Sequence, residues 1–293
     1  MSQNIKAHIF VILATFLVGG SFIVSQKLTG TIDPISITLM RFILASLILA
    51  PFILFIKKYR IKIFSTFKRT MLMSFFYSGY FIGMFKALEL TTALNTGAIY
   101  TLIPLLTGIL SIFIFKQNLS SKQYMVYILG IIGTCIVVFK GNLDLFLAFS
   151  LNKGDIIFSF TILLMTLYAI TSKYLYKKDD ELLVVVFMTL IGGCIWMGLA
   201  LVLFDIPLEW GKLNTTNFLN IGYLTIFTTL FTVFLYQSAN VILGPKKVMA
   251  YVYLNPAVVG LIAFFIDGII MNFFTIIGIL ISAIATFILL KSR

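Results

Sequence analysis

Few residues of this chain could do chemistry, and those that could lie in or beside long apolar runs. Arg41, Lys86 and Glu89 fall within such runs, and Asp33 stands just before one. An ionisable group in hydrocarbon is costly, which makes each a functional candidate. Lys86 and Glu89 are three residues apart, share a helix face and can pair. Lys86 is expected to line the substrate cavity and Glu89 to be structural or gating; their alternative role is to reach out to headgroups. Arg41, about two turns inside its run, is expected to be structural or to line a cavity. Asp33 is a candidate partner for Arg41 or Lys27. Tyr80, Tyr100, Tyr168, Gln237 and Asn255 are the polar-tipped side chains expected in a binding cavity. Tyrosine offers a flat apolar face with one hydrogen-bonding tip, and a buried amide needs a partner. This chemistry is recognition of an amphipathic solute; ordinary packing is the alternative. Tyr77, Tyr236 and Tyr253 are read as packing or belt residues.

Two prolines carry the strongest signal. Pro104, in AIYTLIPLLTGIL, and Pro256, in AYVYLNPAVVGLI, are 152 residues apart. At the same offset Ala98 matches Ala250, Leu102 matches Leu254 and Gly108 matches Gly260. A proline inside a helix removes a donor and displaces a carbonyl. Such a break survives in a bilayer only where protein or water satisfies the freed group. Paired breaks near the midplane point to a carrier's binding site, so Pro104 and Pro256 join the candidates. The carbonyls expected to be freed are those of Tyr100 and Val252.

Catalytic chemistry finds no support. The chain has no HExxH, GxSxG, Walker or dinucleotide motif, and no histidine near Ser21 or Ser238. Cys135 and Cys194 lie inside apolar runs without a histidine, which suits buried thiols and not a metal site. No cofactor or metal is expected. No carboxylate stands at the middle of an apolar run, which favours facilitated diffusion or exchange over tight proton coupling.

These residues need elements to hold them. The chain is 60% hydrophobic and 11% charged, with a mean hydropathy of +1.08. Ten apolar runs are long enough to cross a bilayer as helices: 8–26, 35–56, 70–90, 93–115, 123–141, 154–175, 181–204, 216–240, 246–267 and 270–290. Basic residues cluster on one side. With the N-terminus inside, 16 of the 22 fall on the cytoplasmic face, among them Lys57, Lys58, Arg60, Lys68 and Arg69. That asymmetry places both termini in the cytoplasm, and it explains the net charge of +12 without nucleic acid. The fold class is all-α integral membrane. Ten transmembrane helices form two five-helix repeats, residues 1–148 and 149–293, around a central cavity. An odd number per repeat makes them inverted.

The residues also resemble a known family. GGSFIVSQKL is followed by Asp33-Pro34 and Arg41-Phe42; the third run ends Lys86-Ala87-Leu88-Glu89-Leu90-Thr91. The second half shows Gly154-Asp155, Ser238-Ala239 and Leu254-Asn255-Pro256. This is similar to the EamA-type branch of the drug/metabolite transporter superfamily. The position of Asn255 is acidic in many members, and a tryptophan precedes Gly-Ser where Gly19-Gly20-Ser21 stands here. The resemblance implies ten helices, a basket-like cavity and export of small metabolites such as amino acids, nucleosides or cationic drugs. The expectation is thus a bacterial inner-membrane carrier whose partners are a small-molecule substrate and the lipid bilayer. Flipping of lipid or lipid-linked sugar, and uptake or exchange, stay open as alternatives.

Overall fold

In the computed structural model, residues 2–116, 120–147, 151–243 and 245–291 are described, and no strand occurs among them. The first half comprises α1 (Gln3–Leu28), α2 (Pro34–Phe55), the short α3 (Lys57–Arg60), α4 (Ile63–Leu88), α5 (Ala93–Tyr100), α6 (Ile103–Phe115), α7 (Ser121–Val138) and the short α8 (Leu143–Leu147). The second comprises α9 (Lys153–Leu175), α10 (Leu182–Leu203), α11 (Thr215–Tyr223), a π-helical stretch Leu224–Phe231, α12 (Thr232–Leu243), α13 (Pro245–Ala250), a 3-10 turn Tyr251–Leu254, α14 (Asn255–Asp267) and α15 (Phe273–Lys291). The repeat junction expected at residues 148 and 149 lies outside the described residues.

Local sequence sets the ends. Asp33 caps α2 by accepting from the Ile35 N–H at 2.8 Å, with Pro34 in the first turn, where its missing N–H costs nothing. Thr92, Asn152 and Asn214 cap α5, α9 and α11 in the same way, and Ser120 with Gln123 forms a capping box for α7. α6 and α14 both end on a residue in the left-handed region, Lys116 (φ 51°) and Gly268 (φ 66°). These two stand 152 residues apart, like the prolines.

Among the described residues, seven helical segments are long and apolar enough to cross a membrane: Gln3–Leu28, Pro34–Phe55, Ile63–Leu88, Ala93–Phe115, Lys153–Leu175, Leu182–Leu203 and Thr215–Tyr236. Three shorter apolar helices, Gln123–Val138, Tyr251–Asp267 and Phe273–Ile288, occupy the other three expected positions. α4 begins seven residues earlier than hydropathy alone places it, because a helix continues past the apolar run through Lys68 and Arg69.

The distribution of polarity is that of a membrane protein. Phe64 is 92% exposed and Phe55 87%, while Thr38, Ser74, Thr96 and Asn255 are fully buried. Large apolar side chains outside and hydroxyls inside suit a lipid solvent. Many of the buried hydroxyls donate to backbone carbonyls three or four residues back, as for Thr38, Thr70 and Thr166.

The helices pack in a repeated plan. α4 lies against α9, as α12 lies against α1; α4 lies against α10, as the π-helical stretch lies against α2; and α6 lies against α9, as α14 lies against α1. α2 with α10, α5 with α14 and α7 with α15 pair across the halves. Small residues permit the close approaches. A Cβ on Gly19 would meet Val258 at 2.5 Å, and one on Gly133 would meet the Gly278 carbonyl at 2.9 Å.

Candidate functional site

Both prolines sit at real breaks. Pro104 is in the first turn of α6, after a turn at Thr101 and Leu102 separates α5 from α6. Pro256 is in the first turn of α14, after the 3-10 turn. Each proline starts a half-helix rather than kinking a continuous one, a position its fixed φ favours. The backbone groups at the two breaks are satisfied alike. Thr134 of α7 donates to the Ala98 carbonyl at 3.2 Å, and Thr286 of α15 to the Ala250 carbonyl at 3.1 Å. Both donors and both acceptors are again 152 residues apart. The Val252 carbonyl, expected free, is taken by the Asn255 N–H, because the chain tightens into a 3-10 turn there.

Arg41 lies about 10 Å along α2 from its start and is 1% exposed. Its Nε donates to Thr229 Oγ1 at 2.9 Å, and its Nη2 to Thr228 Oγ1 at 3.0 Å. Both threonines belong to the π-helical stretch, where Thr229 Oγ1 in turn reaches the Leu224 carbonyl five residues back. The guanidinium lies over the Phe81 ring, 4.3 Å from its centre, and that ring packs edge-on against Tyr77 and Tyr80 at 4.9 and 5.1 Å between centroids. Nη1 is buried with no partner among the described residues.

Aromatic side chains from α1, α2, α4, α5 and α9 meet beside it. Tyr77 lies 4.5 Å from Tyr168 and stacks on Phe42 at 5.6 Å; Tyr80 lies 6.2 Å from Tyr100, which contacts Phe22 at 5.4 Å. Tyr77 and Tyr80 are buried; Tyr100 and Tyr168 keep some accessible surface. The hydroxyls of Tyr77, Tyr80, Tyr100 and Tyr168 have no hydrogen-bond partner among the described residues. Asn255, fully buried, has both side-chain amide atoms unpartnered among the described residues. Two cavities of about 200 and 320 Å³ flank α10 and have almost wholly apolar walls; no residue of this cluster lines either.

Several expectations change. Asp33 pairs with neither Arg41 nor Lys27: its carboxylate is occupied in capping α2, and Lys27 pairs with Asp267 at 2.7 Å. Lys86 does pair with Glu89 at 2.7 Å, but its side chain is 58% exposed. It therefore belongs to the surface and not to the cluster, because four methylenes carry its ammonium to the edge. For Tyr77, read as packing or belt, the structure gives packing, since α4 turns that face towards α2 and α9. The Gln237 side chain lies outside the described residues. Thr228, Thr229 and Phe81 were missed; a threonine doublet in an apolar run was the available signal. Asp155, which stands in the Gly154-Asp155 pair quoted for the resemblance, was not among the candidate site residues. It is 2% exposed, accepts from Thr91 and Asn95, and joins a network with Asn152.

The model of the EamA-like transporter family matches residues 5–139 and again residues 152–291. The chain belongs to the EamA-like transporter family. It is a multi-pass membrane protein of a transporter family. Similar proteins include an uncharacterized transporter, YyaM, of Bacillus subtilis (strain 168), 24% identical over 94% of this chain and 90% of its own length. Another is an uncharacterized transporter of Archaeoglobus fulgidus, 24% identical over 94% of each. A solved crystal structure has the same fold, with a TM-score of 0.68 over 98% of this chain and 96% of its own, at 16% identity.

Proposed function

We propose that this protein exports small amphipathic metabolites across a bacterial inner membrane by alternating access. In this reading ten spans form two inverted five-helix repeats, with both termini cytoplasmic. The observation that carries it is the pair of helix breaks, each opening on a proline and each supported by a threonine at the same offset. Interrupted helices in corresponding positions of two halves are where carriers hold their substrates. The interchangeable packing pairs and the double family match support the repeat. Tyr80, Tyr100, Tyr168, Asn255, Pro104 and Pro256 are the proposed lining. An ungated pore is disfavoured by the ring-on-ring packing at the centre.

The test is comparative metabolite profiling of cells and medium. Cells express the wild type or Pro104→Ala/Pro256→Ala matched for membrane level. One class of compound should fall inside and rise outside with the wild type alone. Accumulation inside would instead establish uptake. If no soluble compound moves, the carrier reading fails and lipid movement takes its place.

A further inference from the structure

Resting on the carrier reading above, we infer that Arg41 is an anion anchor, and that the substrate is a small organic oxyanion with an apolar body. The argument is charge balance. A guanidinium keeps its charge under any physiological condition, and Arg41 holds that charge among buried groups. It has no carboxylate partner among the described residues; its acceptors are two neutral hydroxyls. The Phe81 face compensates only part of a lost ion pair. Asp33, the nearest acidic residue in sequence, is spent on a helix cap. A buried charge without a counter-charge is expensive, and an anion that arrives recovers the most there.

Geometry names the donors an anion would meet. Nε and one N–H of Nη2 are fixed by Thr229 and Thr228, which leaves both N–H groups of Nη1 without a partner among the described residues. Two consecutive threonines both reach one side chain because the stretch that bears them is π-helical, a local form common at functional sites. The fixed guanidinium is thereby preorganised, which lowers the ordering cost of binding. The rings of Tyr77 and Tyr80 pack on the Phe81 ring that the guanidinium covers, 4.9 and 5.1 Å between centroids, and their hydroxyls have no hydrogen-bond partner among the described residues. They can donate to the same oxyanion, while the rings of Tyr77, Tyr80 and Phe81 contact the apolar body. A cation placed here would meet an unneutralised positive charge, so amines are excluded by the same site that admits acids.

The test uses the full chain in lipid nanodiscs and four probes of one shape: hexanoate, hexyl phosphate, hexanamide and hexylamine. Binding is read by calorimetry, and counterflow of each is read in proteoliposomes. The acid or the phosphate should bind at least tenfold tighter than the amide, and the amine should not bind. Which of the two binds tells carboxylate from phosphate. Arg41→Gln should erase the preference and Arg41→Lys should keep it at lower affinity. Should Arg41→Gln fail to fold, Tyr80→Phe, which removes one hydroxyl, should weaken the anion about tenfold and leave the amide unchanged. The anchor is overturned if neither anion binds, if amide or amine binds as well as the acid, or if Arg41→Gln keeps the preference. Counterflow of amide or amine in that event would leave the carrier reading standing, so the two failures are distinguishable.

Discussion

Asp180, in the connection between α9 and α10, shows what one carboxylate does at the end of the bundle where α4 begins. Arg69 donates to it twice, at 2.6 and 2.8 Å, and the Lys177 N–H once, at 2.8 Å. Arg69 also donates to the Leu175 carbonyl, so it ties the end of α9 to α4. The hydrogen bonds from Arg69 hold the Asp180 carboxyl below its ordinary range. A carboxyl lowered in the folded state stabilises fully above its ordinary value and loses that contribution as pH falls through the lowered one. Thermal unfolding in detergent should therefore show wild type and Asp180→Asn differing at neutral pH, with the gap closing as pH falls below the usual aspartate range. A gap constant with pH would place the effect in packing. By contrast the Lys86–Glu89 pair is exposed, and pairs of that kind contribute about 0–1 kcal/mol.

At the scale of elements, the broken helices are held by threonines on their neighbours. Thr286 donates to the Ala250 carbonyl and to the Ser282 carbonyl of its own helix. Thr134 does the same for Ala98 and Gly130, and also pairs with the Thr101 hydroxyl at 2.6 Å. Thr286→Val, which keeps the shape, should cost about 1 kcal/mol, the scale of interhelical hydrogen bonds in membranes. Thr134→Val should cost more, because it also removes one of the two partners of the Thr101 hydroxyl, the other being the Ala98 carbonyl. Titrated unfolding in mixed micelles measures both, and equal costs would show that the Thr101 contact contributes nothing. The breaks themselves were legible in the sequence, because proline is scarce and its offset repeated. The rewiring was not. A 3-10 turn before Pro256 and a π-helical stretch over Leu224–Phe231 arise from tertiary packing, which leaves no periodic signal in an apolar run. The same blindness left the facing of α4 open, and with it the choice between packing and belt for Tyr77. Lys86 was misplaced for a different reason: hydropathy locates the Cα, and a long side chain takes its charge elsewhere.

The whole molecule carries its symmetry to both ends. At one end Lys27 of α1 bonds Asp267 of α14 at 2.7 Å. At the other, Lys173 of α9 sits over the Phe115 ring of α6 at 4.5 Å. Asp267 and Phe115 are 152 residues apart, and each lysine closes the last turns of the first helix in its half. The two contacts are thus corresponding latches, one an ion pair and one a cation–π contact, on the helix pairs α1 with α14 and α9 with α6. If the halves rock about the central breaks, release of one latch has to favour closure at the other, since both report one equilibrium. Asp267→Asn should then speed amide exchange over residues 24–28 and slow it over residues 171–175. Phe115→Leu should do the reverse. Each contact is partly solvated and worth little alone, so the expected shift in population is a few-fold, read by exchange mass spectrometry in nanodiscs. Loosening confined to the mutated end, with the other end unchanged in both variants, would mean that the ends open independently, and rigid rocking of one repeat against the other would fail with it.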